Sequence, residues 1–377
     1  MPKRKLQFLA LGLVIILGIV ARVVDLGTHF THTDDMMPLL HTLNAQDPSH
    51  PFVSWLRSVH AIASMTTYAP MQFFLTTVLI SPEQDFETLL RWGRLPSLLA
   101  GIGGFVLLLI LVRKLRSENT FPAQLIALTL LAFSWENIIY AKQTSSYAIG
   151  VTAAIAVLLL LIHLLRTPSW RLGTMLGTGL LLGVLSATQY QVIFFLPAFF
   201  TVLCLHQWGK GIRGGAVFKG PAFAGAVASL FVLLLYYFYI RTVPLKAAYI
   251  SWNAGPAGEF AFSLDGHGGL FGTVLYAVKF FGGNFFTVFQ AMTAVVPETH
   301  LLANFLGGSL LVLFLLGMIS FADTRDRERR TIGIFFLLTA LTWAALIMMR
   351  KLSFGPTRHA LMLLPFFALG VAEGICY

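Results

Sequence analysis

Two adjacent carboxylates, Asp34 and Asp35, stand in the stretch HFTHTDDMMP, with His29 and His32 just before them and His41 just after. Three chemistries fit those residue types. Histidine and aspartate together can ligate a divalent ion, but the spacing here is neither HxxxH nor HExxH. Thr33 can cap a short helix whose positive end favours the aspartates. A carboxylate at a membrane surface can also serve as a general base, since burying it unpaired there is costly unless it is used.

Other segments carry groups that would complement a carboxylate. SFGPTRHALMLLPFF contains Arg358 and His359, preceded by Arg350 and Lys351. Arginine at the mouth of an apolar run either snorkels or grips a phosphate in bidentate fashion. FSWENIIYAKQTSSYAIGV interrupts two apolar runs with Glu136, Asn137, Lys142 and Gln143, and adds Tyr140 and Tyr147. Polar groups at that depth are expected to face a cavity, while the tyrosines also suit an interfacial belt. RWGRLPSLLAGIGG opens another run with Arg91, Arg94 and Pro96, and the glycine-rich SLDGHGGLFG holds Asp265 and His267.

The elements that must position these groups follow from hydropathy. The chain of 377 residues is 57% hydrophobic and 11% charged, with mean hydropathy +0.78. A soluble domain is rarely so apolar. Runs long enough to cross a bilayer fall at about 6–26, 88–112, 121–139, 146–165, 172–188, 191–207, 221–240, 301–321, 331–349 and 359–375. The expectation is an all-α polytopic membrane protein with about ten transmembrane helices, in one domain over 1–377 and with no separate soluble domain. The first run has no small-residue cleavage site after it and reads as a retained helix.

Fifteen of the 26 Lys and Arg residues lie at the N-terminus and in the segments around 113–116, 166–171, 210–219 and 325–330. That asymmetry makes these segments cytoplasmic, both termini included. It also accounts for most of the net charge of +10, so no nucleic-acid partner is expected. The segments 27–87, 241–300 and 350–359 then fall outside. Within the two long ones, 68–80 and 268–283 read as helices lying at the interface. Cys204 and Cys376 have no CxxC spacing and imply neither a disulfide nor a metal site.

These pieces, in this order, resemble the GT-C fold glycosyltransferases, in the branch of protein O-mannosyltransferases and lipid A aminoarabinose transferases. The acidic pair Asp34–Asp35 stands where the family has Asp-Glu. YAPMQFFL (68–75) is similar to its His-Pro-Pro-Leu-like stretch. RLPSLLAGIGG (94–104) is similar to its Arg-x-Pro-Ser start, YAKQTSSYAIG (140–150) to its Tyr-Ser-Gln-Glu-Ala-Arg-x-Tyr segment, and TRHALMLLPFFALGVA (357–372) to its late Arg-Tyr helix. The chain departs from the pattern at Asp35, at Tyr68 and Ala69, and at Ser145, where an Arg is common.

The resemblance implies an enzyme of the plasma (inner) membrane that moves a sugar from a polyprenyl-phosphate donor to a glycan, lipid or protein acceptor at the extracytoplasmic face. Phosphate is already a good leaving group, so the reaction needs a base for the acceptor hydroxyl and cations for the phosphate. Asp34 and Asp35 take the catalytic place, and single displacement predicts inversion. Arg358, Lys351, His359, Lys142 and Arg94 are the candidates for the donor phosphate. Tyr68, Tyr140, Gln143 and Tyr147 are those for the substrate. No cofactor is required by this chemistry, and a divalent ion at His29 and His32 stays open. The donor's lipid tail is expected among the phenylalanines, 33 in the chain. A lipid or solute transporter, and a lipid-binding relative without catalysis, remain the alternatives.

Overall fold

The computed structural model describes residues 3–24, 26, 39–40, 42–44, 49–50, 52–54, 56–57, 70–116, 118, 120–167, 170–238, 269–292, 300–349 and 360–377. These form α1 (Lys3–Val23), α2 (Pro70–Leu79), α3 (Phe86–Leu115), α4 (Thr120–Phe133), α5 (Trp135–Ala141), α6 (Tyr147–Arg166) and α7 (Leu172–Thr188). A 3-10 turn, Tyr190–Phe195, leads into α8 (Leu196–Gly209), followed by α9 (Ala216–Phe238), α10 (Gly269–Ala291), α11 (His300–Asp323) and α12 (Arg327–Met348). A second 3-10 turn, Ala360–Leu363, opens α13 (Leu364–Ile375). No strand occurs among the described residues.

Where it is described, each of the ten apolar runs is helical, and the helices differ in length. Among the described residues, seven helices are long and apolar enough to cross a membrane by themselves, or eight if the bent pair counts as one span. The 172–188 and 359–375 runs form shorter helices. The 121–139 run is two helices, α4 and α5, meeting at 59°. The 268–283 piece, expected to lie at the interface, is part of the longer α10, whose Phe285 and Phe289 reach the core. Pro96, expected in a first turn, lies inside α3 because that helix begins at Phe86. Asp85 caps it there by accepting from the Thr88 N–H (3.0 Å) and hydroxyl (2.8 Å). Those bonds, the backbone one first, hold the Asp85 carboxyl below the usual carboxylate range.

Small residues set the closest helix crossings. Gly317 of α11 meets the Gly370 carbonyl of α13, and Gly374 meets the Leu313 carbonyl. Within a bilayer, backbone approach of this kind replaces the hydrophobic drive available in water. Gly179 and Gly183 do the same for α7 against Val227 and Phe231 of α9. Replacing Gly317 by Leu is expected to separate α11 from α13 and to lower the thermal midpoint in micelles. Phe285, Phe289, Phe314 and Phe367 close on one another with ring centroids 5.2–6.2 Å apart. In these described rings, phenylalanine fills the junction of α10, α11 and α13.

The basic segments gather at one end. Arg116 and Arg329 both donate to the Glu373 carboxylate, Arg166 pairs with Glu328 at 2.7 Å, and Arg327 donates to the His206 carbonyl at 2.9 Å. α1 lies parallel to α4, since Gly18 and Arg22 meet Ala132. Its lysine-rich start is therefore at that same end.

Candidate functional site

The opposite end holds the described members of the groups that the sequence nominates. Its frame is the break between α4 and α5. A helix that stops leaves carbonyls without amide partners. Here the Asn137 side chain donates to the Leu131 carbonyl at 2.8 Å. Arg22 donates to Leu131 (3.1 Å), to Ala132 (2.8 Å) and to its own turn at Gly18 (2.9 Å). Its guanidinium also lies 4.7 Å from the Phe105 ring centroid, where the aromatic face attracts a cation. Arg22 is fully buried, and that many carbonyl acceptors are needed to hold a cation away from water.

Arg22 was not among the sequence candidates. The signal was an ionisable group inside an apolar run. Arg22→Met removes three donated bonds and leaves buried acceptors unmet. Each such acceptor costs about 1–3 kcal/mol. The variant is expected to lose at least ~10 °C of thermal midpoint in micelles, and Arg22→Lys less.

Arg94 lies on the same side of α3 and is also fully buried. It donates to the carbonyl of Leu26, just past α1. One residue earlier, a Cβ on Gly93 would strike the Leu39 side chain and sit 3.3 Å from the Thr144 hydroxyl. Leu39 is buried with Ile80 and Leu90. Leu26 and Leu39 are the described residues on either side of 27–38, and both rest on the same turn of α3. That turn joins the α5–α6 connection, where Ser97 donates to the Ser145 carbonyl at 2.6 Å. Thr144, Ser145 and Ser146 are all buried there.

Four more candidates occupy that connection. Lys142 is buried and closes α5, its N–H donating to Ile139 at 3.0 Å. The Tyr140 and Tyr147 rings pack 5.1 Å apart across the turn. Gln143 is half-buried between them in sequence. The turn Ala360–Leu363 comes to the same place. Met362 lies against Gly150 of α6, and Ala360 lines a cleft with Ser134 and Glu136. Arg94, Lys142, Tyr140, Gln143 and Tyr147 are therefore brought to one corner of the bundle. Asp34, Asp35, Tyr68, Lys351, Arg358, His359, His29 and His32 lie outside the described residues, as do Asp265 and His267. Among the described residues no cluster of three His, Cys, Asp or Glu side chains has the geometry of a metal site.

No family model matches the chain, and no curated protein matches it. Solved structures do. An oligosaccharyltransferase of Archaeoglobus fulgidus, tethered to an acceptor peptide with an NVT sequon, is 13% identical with a TM-score of 0.55. The match covers 99% of this chain and 50% of that one. The same enzyme with zinc and sulfate matches at 13% identity and a TM-score of 0.53, over 97% of this chain and 48% of its own. With an inhibitory peptide and a dolichol-phosphate it matches at 13% identity and 0.52, over 99% and 50%. The chain thus spans about half the length of the enzyme it resembles. The likeness shows the fold, that of a polytopic GT-C membrane protein.

Proposed function

We propose that the chain is a glycosyltransferase that takes a sugar from a polyprenyl-phosphate and passes it to an acceptor hydroxyl at the outer membrane surface, with inversion. The observation that carries this reading is the fold likeness over 99% of the chain to an oligosaccharyltransferase solved with a dolichol-phosphate. The placement of polar groups supports it. Leu26 and Leu39, the described residues flanking the stretch with Asp34 and Asp35, rest on the Gly93–Arg94 turn. The segment bearing Lys351, Arg358 and His359 runs into the fold at Ala360, beside Glu136.

In this mechanism Asp34 takes the proton from the acceptor hydroxyl as the oxygen attacks the sugar carbon. Asp35 orients the acceptor or an ion. Arg358, with Lys351 and His359, holds the departing phosphate, and Lys142 is a described cation that joins them. Tyr68, Tyr140, Gln143 and Tyr147 line the approach. Arg94 acts one step back, by fixing the start of the acidic segment through the Leu26 carbonyl. The basic end is cytoplasmic and the Tyr140–Tyr147 corner extracytoplasmic.

A transporter would carry ionisable groups near the middle of broken helices. Among the described residues, buried Arg94 and Lys142 sit at one end and the Glu373 cluster at the other, while Arg22 is spent on the α4–α5 carbonyls.

The test is incubation of the purified protein with radiolabelled polyprenyl-phosphate sugars and membrane extract as acceptor source. Label leaving the lipid donor for an acceptor or for water is the expected result. Complete retention on the donor, across hexose and pentose donors, overturns the reading. Arg358→Ala is expected to raise the donor KM about tenfold or more with less effect on kcat, as loss of a charge-assisted phosphate contact would. An unchanged donor KM would move the phosphate elsewhere.

A further inference from the structure

The end of the bundle opposite the candidate site carries cations that the fold does not neutralise. Between Glu136 and Glu259 the chain has no Asp or Glu. That stretch includes two connectors at this end, one between α6 and α7 and one between α8 and α9. Cations from other segments there are taken up. Glu373 receives Arg116 and Arg329, Glu328 receives Arg166, and the His206 and Thr324 carbonyls receive Arg327 and Arg330. Arg171, Lys210, Arg213 and Lys219 are exposed. None of the four is ion-paired among the described residues.

The two connectors form one surface, and it is ordered. Trp170, beside Arg171, lies against Gly220, beside Lys219. Its indole N–H donates to the Leu164 carbonyl at 3.2 Å. Lys210 and Arg213 flank the closure of α8. There the Ile212 N–H donates to the Gln207 carbonyl (3.3 Å) and the Gly211 N–H to that of Trp208 (2.9 Å). These paired bonds end a helix on a left-handed residue, and Gly211 has φ +87°.

Apolar groups alternate with these cations. Leu172, Trp208, Ile212 and Phe218 are all exposed. At a bilayer surface such side chains enter the boundary between head groups and acyl chains, while Lys and Arg stay at the level of the phosphates. The Arg213 guanidinium lies 5.9 Å from the Trp208 ring centroid. Stacking on the ring face leaves its N–H edge for a phosphate, which a guanidinium grips with two bonds.

We infer that the α8–α9 connector, with Trp170 and Arg171, is a docking surface for anionic phospholipid head groups. A zwitterionic head group brings its own cation to the phosphate and gains little from unpaired Lys and Arg. An anionic head group brings net charge, and each cation near it adds to the attraction. The surface is remote from the transfer site, and the inference does not depend on the transferase reading.

Trp208 reports on this surface directly. The full chain is placed in phosphatidylcholine nanodiscs containing either brominated phosphatidylglycerol or brominated phosphatidylcholine, and quenching of tryptophan fluorescence gives the relative association of the two lipids. Trp208→Phe identifies the share of quenching that belongs to the connector. The wild type is expected to favour the anionic lipid about fivefold or more at low salt, the effect of roughly one nearby cation. Lys210→Gln with Arg213→Gln is expected to bring the two lipids to within about twofold of parity by the same measure. Arg325→Gln with Arg330→Gln removes equal charge from the same end and is expected to leave the preference intact. High salt should erase the preference of the unaltered protein, a test that no misfolded variant can confuse. The inference is overturned if the wild type associates equally with both lipids, if the connector variant keeps the preference, or if the control pair loses it equally. It is also overturned if millimolar inorganic phosphate removes the preference, since the surface would then take free phosphate and not a lipid.

Discussion

Asp34→Asn is expected to reduce sugar transfer by about 10²–10⁴-fold, the usual contribution of a positioned general base. The carboxamide has nearly the shape of the carboxylate but cannot take a proton at neutral pH. Phosphate needs no protonation to leave, so no general acid elsewhere would mask the defect. The lesion should fall on kcat, because the donor phosphate and lipid are held by other groups. Asp35→Asn should cost less if that residue only orients the acceptor. The substitution should not disturb folding, since Leu26 and Leu39 tie the ends of the segment through a backbone carbonyl and an apolar contact. Initial rates with labelled donor, alongside gel-filtration profiles and thermal midpoints matching wild type, decide the matter. A wild-type rate would remove Asp34 from the mechanism and leave Asp35 or an ion as the activating group.

Much of this architecture is legible from hydropathy, and the rest is not for definable reasons. A bilayer permits few solutions to an apolar run, so all ten runs are helices. Charge asymmetry identifies the segments that gather around Glu373 and Glu328. The bend at Ser134 is invisible to a sliding window, because α4 and α5 together have the length and composition of one span. What breaks them is a local exchange of partners, with Asn137 and Arg22 taking carbonyls that helical amides would otherwise use. Arg22 could have been found, since an ionisable residue within a span needs a reason to be there. The helix crossings at Gly317–Gly370 and Gly374–Leu313 depend on which faces meet, and a single sequence does not carry that. At the site, residue types point to one surface. The meeting of Leu26, Leu39 and Thr144 on one turn of α3 is a tertiary fact.

The second large effect is expected far from the corner that holds the candidate site. Glu373 is a lone acid in the last apolar run. It is buried and shared by Arg116, at 2.6 Å, and Arg329, with side-chain exposures of 4%, 8% and 20%. One carboxylate thereby ties α13 to the end of α3 and the start of α12. Glu373→Ala leaves two arginines without their anion, one of them nearly buried. Breaking such an arrangement by removing one partner costs about 3–5 kcal/mol, because an uncompensated charge stays in a poorly solvated place. Glu373→Gln keeps an acceptor oxygen and should lose less. Replacing Glu373 and Arg116 together by Leu and Met removes the more buried of the two unpaired charges, leaving only the more exposed Arg329, and should recover part of the loss. Thermal midpoints of the four proteins in the same micelles, at low and high salt, test whether Gln and the double variant both lie above Ala. A double variant no better than Glu373→Ala would show that the cluster acts through packing, not charge. Because α13 begins at the Ala360–Leu363 turn beside Glu136, Glu373→Ala should also lower transfer at temperatures where the protein is still folded. Asp34→Asn should lose transfer with no shift in midpoint, so the two variants separate chemistry from the frame that positions it.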